Sequence, residues 1–551
     1  MAGPAVPAPP EPPVVGTPSL DFALGEACAR FADRVALVAD GTTLTSGELT
    51  SGELTYGELW RAAGRLALAY QGLGVAPGDR VVCWLANGIE HLVGVLGAWR
   101  AGAVHVGADV AMAPPELAWQ IVHAGAAAVL GPGTGGRAAG LTEAVERARH
   151  QLPSLAVVQP DPGPPRARRR FGSVAGHQPP ADPIGSGSLA GSSPDDVAVI
   201  FYSSGTTAIP KGVTRRHGEL NWGWARAGRQ MAVTKVDVHL VELPLAHGFG
   251  FGMAIMGLLT GGRLVLMDRF SPRHALDLIG RHGVSVLHGT PPHFRLLLDH
   301  LDPARHDVST LRVGRASAAP FPPALIAGIL DDLGMDLTLV YGSSEGVGWT
   351  TTDRDDMLTG SVGRPPANRI RVVGPGGEPI PTGLEGEIEA WRTHRFSYWG
   401  GPDSPAGGWH QTGDVGRIDA DGRLYVLGRV VDQINRGGVR VDPTEVESAL
   451  LAHARLLDAA VVGIPDPVLG QAICACVVPA AGPTPQLDDI RGALAPHLGR
   501  HKLPDRLCLV EQIPRSPLGK VHRAAVLALS RAQAGESTRP PTVPLRGERS
   551  Q

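Results

Sequence analysis

The sequence predicts an α/β fold: a large N-terminal domain of parallel or mixed sheets with helices, followed by a small α+β domain. Strand-like and helix-like segments alternate along most of the chain, which is typical of parallel sheets covered by helices. Loops rich in glycine and hydroxyls follow several apolar strands, where α/β proteins bind ligands. A compact α+β pattern closes the chain.

One βαβ unit shows the alternation clearly. Val81–Ala86 reads as a strand, His91–Ala101 as a helix and Ala103–Gly107 as the next strand. In the C-terminal part, Ala459–Gly463 and Ala472–Val478 read as strands, and a helix is predicted over 487–498.

The length of 551 residues predicts more than one domain. We expect a disordered tail over 1–18, a large domain over 19–429, a small domain over 430–530 and a second tail over 531–551. The tails are rich in proline and polar residues. A five-residue unit repeats three times within Thr45–Leu59, and we expect it to lengthen a turn before a helix that begins near Tyr56.

Composition excludes some classes of function. A net charge of −3 without a dominant basic face argues against nucleic acid as a partner. No signal sequence and no membrane-length apolar run is visible, so a cytoplasmic protein without a membrane span is expected. The cysteines are odd in number and scattered, which favours reduced thiols packed in cores, although a metal pair at 474 and 476 is an alternative: Cys28, Cys83, Cys474, Cys476 and Cys508.

A hydroxyl-rich loop, YSSGTTAIPKGV over Tyr202–Val213, follows the buried strand predicted at Val197–Phe201. Hydroxyls, open backbone N–H groups and a lysine can surround phosphate oxygens. The loop is not a Walker A motif, because Pro210 and Gly212 occupy two of its required positions. An ordinary polar turn is the alternative. The predicted phosphate-binding residues are Ser203, Ser204, Gly205, Thr206, Thr207 and Lys211.

Lysine is rare in this chain, since arginine fills nearly every basic position. The lysines are Lys211, Lys235, Lys502 and Lys520. Two of them, Lys211 and Lys520, lie in distinctive loops, and arginine does not replace the compact, mobile ammonium group. Both are therefore candidates for specific roles.

Three further loops carry candidate side chains. His247 follows a strand and precedes glycines and phenylalanines, so it is either a pocket residue or a hydrogen-bonded core histidine. Glu345 lies among the hydroxyls and glycines of YGSSEG, where it could bind Mg²⁺. Asp414 either caps a turn or accepts hydrogen bonds from a ribose diol.

Together these segments resemble the acyl-adenylate-forming superfamily of acyl- and aryl-CoA synthetases, luciferases and peptide-synthetase adenylation domains. The resemblance runs from about Ala23 to Ala525 and rests on motifs in the family's order: YSSGTTAIPKGV, PLAHGFG, SASAAP, YGSSEG, QTGD, GR…GG…VDPTEVE and PRSPLGK. It implies a mobile C-terminal domain, activation of a carboxylic acid by ATP to acyl-AMP, and displacement of AMP by a thiol.

The resemblance also implies roles for single residues. The loop from Ser203 to Lys211 would hold the β- and γ-phosphates, and Glu345 the Mg²⁺. Lys520 would act at the α-phosphate and the acyl carboxylate, and His247 would lie between the acyl pocket and the thiol tunnel. The nucleotide would also contact Ser317, Ala318, Ala319, Tyr341, Gly342, Ser343, Ser344, Asp414 and Arg429, while the loop at Gly437 and Gly438 would serve the thiol step.

Three positions depart from the family's pattern: Ala208 replaces a glycine of the phosphate loop, Val431 stands at the hinge, and Ser317-Ala318 replaces a glycine pair. The sequence next to His247 contains no aspartate that could bind an amino group. We therefore expect an apolar acyl chain or aryl ring rather than an α-amino acid. The prediction is an acyl- or aryl-CoA ligase that uses ATP, Mg²⁺ and CoA. The alternatives are a stand-alone enzyme that loads a carrier protein and a half-reaction or binding-only relative.

Overall fold

The computed structural model describes residues 16–39, 52–133, 136–159, 191–203, 210–318, 321–346, 350, 352, 354–366, 369–437, 439–516 and 519–533. Within this part of the chain the α/β prediction is confirmed, with parallel and mixed sheets, covering helices and a separate α+β region.

The helices are numbered in chain order: α1 Leu20–Arg30, α2 Tyr56–Gly72, α3 Ile89–Arg100, α4 Pro114–Ala124, α5 Gly136–Arg149, α6 His217–Gln230, α7 Gly248–Thr260, α8 Pro272–His282, α9 Pro291–His300, α10 Pro323–Asp332, α11 Arg354–Leu358, α12 Pro443–His453, α13 Leu487–Leu494 and α14 Arg523–Gln533. Short 3₁₀ turns occur at Val430–Asp432 and Arg500–Lys502.

The strands are numbered likewise: β1 Val35–Ala39, β2 Gly52–Thr55, β3 Arg80–Cys83, β4 Val104–Gly107, β5 Ala126–Leu130, β6 Ala156–Val158, β7 Val197–Ser203, β8 Lys211–Arg216, β9 Val238–Val241, β10 Arg263–Leu266, β11 Val286–Leu287, β12 Val313–Ala316, β13 Asp336–Leu339, β14 Ile370–Val373, β15 Gly386–Trp391, β16 Phe396–Ser397, β17 Asp403–Ser404, β18 Trp409–Ile418, β19 Leu424–Arg429, β20 Ile434–Arg436, β21 Val439–Val441, β22 Leu456–Asp466, β23 Gly470–Pro479 and β24 Arg506–Leu509.

Two sheets form the large region. One has the order β13-β12-β11-β9-β10-β1-β2, and the other β6-β5-β3-β4-β7-β8. Their pairings are parallel except β1 with β2 and β7 with β8. β3, α3 and β4 form the predicted βαβ unit, and β3 and β4 pair in parallel. Such sheets are covered on both faces, so their strands carry continuous apolar runs.

Smaller sheets follow. One has the order β14-β15-β18-β19, and β16 pairs with β17. The last sheet has the order β21-β20-β23-β22, with β24 beside β23. The long antiparallel pair of β22 and β23 contains both strands that the C-terminal pattern predicts. All five cysteines are buried, and Cys474, Cys476 and Cys508 pack in one apolar cluster, in agreement with the prediction of core thiols.

The contacts divide the chain into two compact units. The first unit comprises Met1–Arg371, Glu389–Thr412 and Ala420–Leu424. The second comprises Val372–Ile388, Gly413–Asp419 and Tyr425–Gln551. The first unit thus has its own large cores around α2, α3 and α7, and the second has its own core between α12, α13 and the sheet of β20–β23.

Local signals explain where α2 begins and how it is held. The Thr55 hydroxyl accepts a hydrogen bond from the N–H of Glu58, whose carboxylate accepts one from the N–H of Thr55 in return. This capping box satisfies two otherwise unpaired N–H groups. Tyr56 is fully buried, and its hydroxyl donates to the carbonyl of Gly262 at 2.7 Å. The helix therefore begins at Tyr56, as predicted.

Two element boundaries differ from the predictions. The middle unit of the five-residue repeat is not a turn, because Gly52–Thr55 forms β2 and pairs antiparallel with β1; the first unit lies outside the described residues. The helix predicted over 487–498 ends at Leu494. In the described part of the chain, no helix is both long and apolar enough to cross a bilayer.

Buried histidines give the fold a specific pH dependence. His239 on β9 is 1% exposed, neither ring nitrogen has a hydrogen-bond partner within the described residues, and burial lowers its pKa to about 4. Since this folded-state pKa lies below the unfolded value, the stabilisation is complete above about pH 6.5 and is lost as the pH falls towards 4.

We therefore expect wild-type protein to lose about 2 kcal/mol of unfolding free energy relative to His239→Leu between about pH 7 and pH 5. Urea denaturation of both proteins at each pH measures this difference. His150→Leu, at an exposed histidine, serves as the control and should show little pH-dependent difference from wild type. A constant difference between wild type and His239→Leu across this range would contradict a neutral buried His239.

Candidate active site

The candidate residues of the first unit lie where the carboxyl ends of both sheets approach each other. A Cβ placed on Gly107, the last residue of β4, would lie 2.8 Å from the carbonyl oxygen of Ala246 in the loop after β9. One placed on Gly248 would lie 3.5 Å from the ring of Phe201 on β7. This close approach places β4 and β7 beside the loop after β9, at the edge where α/β proteins bind ligands.

The predicted phosphate loop connects β7 to β8. These strands pair antiparallel, with Ser203 opposite Lys211, so they bring the two ends of the loop together. Residues 204–209 lie outside the described part of the chain. The predictions for Ser204, Gly205, Thr206 and Thr207, and for the departure at Ala208, therefore remain predictions. Lys211 is exposed at the start of β8.

Tyr398 connects Lys211 with Glu345. Its hydroxyl donates a hydrogen bond to Oε1 of Glu345 at 2.9 Å, and Lys211 Nζ lies 5.2 Å from the centre of its ring. Tyr398 itself is fixed by a backbone bridge to Val213 of β8. Lys211 and Glu345, which are far apart in sequence, thus both contact Tyr398.

The environment of Glu345 fits the binding of Mg²⁺ together with a phosphate ligand. Its Oε2 has no hydrogen-bond partner among the residues described, and the side chain is half-buried. No cluster of three or more His, Cys, Asp or Glu in the described part could hold a metal unaided. Mg²⁺ often binds through one or two carboxylates plus substrate phosphates, so a single carboxylate here is sufficient.

The YGSSEG segment follows β13 and is anchored from β8. Arg215 donates from Nη1 to the carbonyl of Ser344 at 2.9 Å. The N–H of Tyr341 donates to the Thr350 hydroxyl at 3.3 Å. Gly342 and Ser344 are exposed, whereas the hydroxyl of Ser343 is buried and has no hydrogen-bond partner in the described part of the chain. Two predicted ligand positions in this segment are therefore open to solvent.

The side chain of Arg215 is held by Glu219 of the following helix, α6. Arg215 Nε forms a short ion pair with Glu219 Oε1, and both side chains are more than nine-tenths buried. Burial raises the pKa of the Glu219 carboxyl, and the Arg215 guanidinium opposes this effect without cancelling it. A Cβ on Gly346, which has φ +78°, would collide with the Arg215 guanidinium. The buried pair thus fixes the position of the 344–346 turn.

Ser317 and Ala318 follow β12. The Ser317 hydroxyl donates to the carbonyl of Val340 at 2.9 Å, which joins the ends of β12 and β13. Ala318 has φ +82°, a left-handed conformation that costs a residue with a Cβ about 1 kcal/mol or more. Here the replacement of glycine by alanine coincides with backbone strain. Ala319 and Pro320 lie outside the described residues.

His247 forms a dyad with a residue that the sequence analysis did not select. It precedes α7, and its Nε2–H donates to Oδ2 of Asp109 at 2.9 Å. Burial pushes the pKa of Asp109 upwards, but hydrogen bonds from His247 and from the N–H of Ala111 outweigh it and lower the pKa. Asp109 therefore remains a carboxylate that orients the imidazole. Of the two interpretations left open, the hydrogen-bonded one is observed, and the partly exposed ring is also available to a pocket.

A small internal cavity lies beside α7. It encloses about 10 Å³ and is bordered by His239, Glu242, Gly250, Met253 and His288. This is room for roughly one water molecule, so a larger ligand requires the walls to move. A larger depression of about 520 Å³, near 303–311 and 331–334, contains none of the candidate residues and is not the site.

Asp414 and Arg429 lie in the second unit. Oδ1 of Asp414 accepts a hydrogen bond from Arg429 Nε at 3.0 Å, so these two predicted nucleotide contacts form one ion pair on β18 and β19. Gly437, with φ +60°, closes the β20–β21 turn. Gly438 and the side chain of Val431 lie outside what the structure describes.

Lys520 lies in a tight turn of the second unit. The carbonyl of Lys520 accepts from the N–H of Ser516 at 2.7 Å, and Gly519 has φ +76°. Arg515 anchors the turn: it donates to the carbonyl of Gly519 at 2.8 Å and pairs with Asp458. The lysine side chain is exposed. These hydrogen bonds hold the backbone of Gly519 and Lys520 in place.

Sequence reasoning missed three side chains: Asp109, Arg215 and Tyr398. Asp109 comes two residues after a predicted strand, so the rule that ligands meet strand ends could have identified it. Arg215 and Tyr398 belong to no glycine-rich or hydroxyl-rich motif, and no sequence signal distinguishes them.

Comparisons with known proteins found matches that cover most of this chain. The sequence profile of the family described as AMP-binding enzyme matches residues 24–395, and that of the AMP-binding enzyme C-terminal domain matches residues 445–520. A 2-hydroxy-7-methoxy-5-methyl-1-naphthoate–CoA ligase from Streptomyces carzinostaticus is 33% identical over 93% of this chain and 93% of its own.

Two further matches cover nearly the whole chain. The salicyl-AMP ligase / salicyl-S-ArCP synthetase of Mycobacterium tuberculosis (strain ATCC 25618 / H37Rv) is 31% identical over 95% of this chain and 92% of its own. The crystal structure of ATP-bound MatB from Rhodopseudomonas palustris superposes with a TM-score of 0.77 and 26% identity, over 93% of this chain and 98% of that one.

The buried Arg215–Glu219 pair gives a prediction about stability. Glu219→Gln leaves the Arg215 guanidinium buried without a countercharge, so we expect a loss of about 3 kcal/mol of unfolding free energy in urea titrations. Glu143→Gln breaks the exposed pair with Arg147, which has the same spacing in sequence. This variant should lose less than about 0.5 kcal/mol of unfolding free energy. Equal costs for both variants would refute a special role for the buried pair.

Proposed function

This chain belongs to the AMP-binding enzyme family of AMP-forming ligases, and from that premise we propose that it activates a carboxylic acid with ATP and transfers the acyl group to CoA. In the first step a carboxylate oxygen would attack the α-phosphorus, forming acyl-AMP and releasing pyrophosphate. In the second step a thiol would attack the acyl carbon, lose its proton and release AMP. The observation that carries the proposal is the Lys211–Tyr398–Glu345 arrangement.

The first step brings together two anions, so charge neutralisation and positioning dominate catalysis. Lys211 and the loop that begins at Ser203 would contact the β- and γ-phosphates. Glu345 would hold Mg²⁺, which offsets phosphate charge when bound. The hydrogen bond from Tyr398 directs one oxygen of Glu345 and leaves the other for a ligand.

The remaining candidates would bind the rest of the nucleotide and the acyl group. Tyr341 would stack on adenine, Ser344 would contact the α-phosphate, and Asp414, with Arg429 alongside, would accept hydrogen bonds from the ribose hydroxyls. His247, oriented by Asp109, would separate the acyl pocket from the thiol path. The side chains of Ser317 and Ala318, in place of a glycine pair, would narrow the space beside the acyl group.

Lys520 would supply the positive charge needed while acyl-AMP forms. An ammonium on a mobile stem can approach the α-phosphate and the acyl carboxylate together, and arginine does not substitute for it. The hydrogen bonds to the backbone of Gly519 and Lys520 suit this role, because less conformational entropy is lost when a lysine on a fixed base engages its ligand.

A carrier protein is the second candidate for the thiol acceptor. The salicyl-S-ArCP synthetase among the relatives is named for such an acceptor, whereas the naphthoate relative is named for CoA. Supplying preformed acyl-AMP with either free CoA or a phosphopantetheinylated carrier protein distinguishes the two, since only the true acceptor forms thioester efficiently.

The test of the proposal is ATP–pyrophosphate exchange across a panel of aryl and aliphatic carboxylic acids, with wild type and Lys520→Ala. We expect acid-dependent exchange by wild type and a loss of at least about 100-fold in the variant, because a cation that neutralises developing charge is removed. Thioester formation from supplied acyl-AMP should survive in Lys520→Ala.

The matched control is Lys235→Ala, at a lysine outside the predicted loops, which should leave exchange unchanged. Absence of exchange with every acid would overturn the proposed function, and ATP binding without any exchange would favour a binding-only relative. Equal loss of both half-reactions in Lys520→Ala would overturn only the role of that lysine.

A further inference from the structure

Arg315 on β12 is a buried cation that none of these roles explains. The residue is 5% exposed, its Nη2 donates to the amide oxygen of Gln230 at 2.9 Å, and its Nε has no hydrogen-bond partner within the described residues. A guanidinium offers five donors and remains charged, and burying it without a carboxylate is costly. Such a group attracts an anion.

Arg226 adds a second positive charge. It lies on α6 one turn before Gln230 and one turn after Trp222, and its guanidinium carbon lies 5.4 Å from the centre of the Trp222 ring. Burial and then the charge of Arg226 lower the pKa of Arg315 to about 10. In the described part of the chain, neither arginine forms an ion pair with a carboxylate. The pair is therefore a local excess of positive charge.

The titratable groups nearby do not compensate this charge. Burial lowers the pKa of His239 and of His288, which keeps both imidazoles neutral. Burial also raises the pKa of Glu242 well above its usual value, which favours the neutral acid, and neither oxygen of Glu242 has a hydrogen-bond partner among the described residues. The charge balance of this region is consequently positive.

Arg315 adjoins the region proposed for the acyl group. The backbone N–H of Arg315 donates to Nδ1 of His288 at 3.1 Å. His288 in turn borders the cavity that Gly250 and Met253 also line. The ring of Phe249, two residues after His247, lies 6.4 Å from that of His288.

We propose that Arg315, assisted by Arg226, binds a second anionic group of the substrate, so that the acid activated is one carrying a further carboxylate or sulfonate at its far end. This inference rests on the proposed function. The carboxylate that reacts loses its charge on becoming an anhydride and lies beside the α-phosphate, so a lasting anion at Arg315 is a different group. The flexible Met253 can move to admit the ligand.

The test uses isosteric pairs of acids in which a second carboxylate is replaced by an amide: succinate with succinamate, and isophthalate with 3-carbamoylbenzoate. In ATP–pyrophosphate exchange by wild type, we expect kcat/KM for the better diacid to exceed that of its amide partner by about 30-fold or more. Arg315→Met should bring this ratio close to one by lowering the value for the diacid alone.

Two more variants complete the design. Arg226→Gln, on the helix surface, should reduce the same ratio by a smaller factor. Arg229→Met removes an exposed arginine from the same helix and should leave the ratio unchanged. Because a buried guanidinium without a carboxylate is costly, its replacement by an apolar methionine should not lower the melting temperature. A clear fall in melting temperature would identify Arg315 as a structural cation and overturn the proposal.

Failure of the inference is distinguishable from failure of the proposed function. A wild-type enzyme that exchanges equally well with diacids and their amides, or a ratio that survives in Arg315→Met, overturns the anion site alone. If no acid supports exchange, the proposed function fails, and thermal shifts with succinate and isophthalate decide the site. A rise in melting temperature for wild type but not for Arg315→Met supports it, and no rise in either protein overturns it.

Discussion

The hydrogen bond from Tyr398 to Glu345 is the interaction on which the candidate phosphate site depends. The same tyrosine faces Lys211 with its ring, so one residue contacts both a candidate cation and a candidate anion. Removing the phenol would remove both contacts.

The scaffold around this contact is rigid because it is built from strand ends and buried polar pairs. Arg215 and Glu219 are buried together, and Arg215 holds the carbonyl of Ser344. Asp109 orients His247 in a similar way from the end of a neighbouring strand. Buried charges of this kind add little net stability, yet they fix geometry because breaking one leaves its partner uncompensated. A reaction between two anions requires that the groups around them be held in fixed positions.

Much of this arrangement could be predicted from the sequence. The βαβ rhythm predicted parallel sheets, and the motifs around Lys211, His247 and Glu345 predicted candidate loops because apolar runs precede them. Pairing could not be predicted where it joins residues without a motif: Tyr398 lies 53 positions from Glu345, and Asp109 lies 138 positions from His247. Such contacts depend on how sheets pack, which local pattern does not encode.

The most direct test of the central claim is calorimetric titration of ATP into the protein at increasing Mg²⁺ concentration, with wild type, Glu345→Gln and Tyr398→Phe. If Glu345 and Lys211 flank a metal–phosphate site, Glu345→Gln should need at least about tenfold more Mg²⁺ for half-maximal enhancement of ATP binding, and Tyr398→Phe somewhat less. An unchanged Mg²⁺ requirement in Glu345→Gln, with ATP bound as tightly as by wild type, would contradict the account.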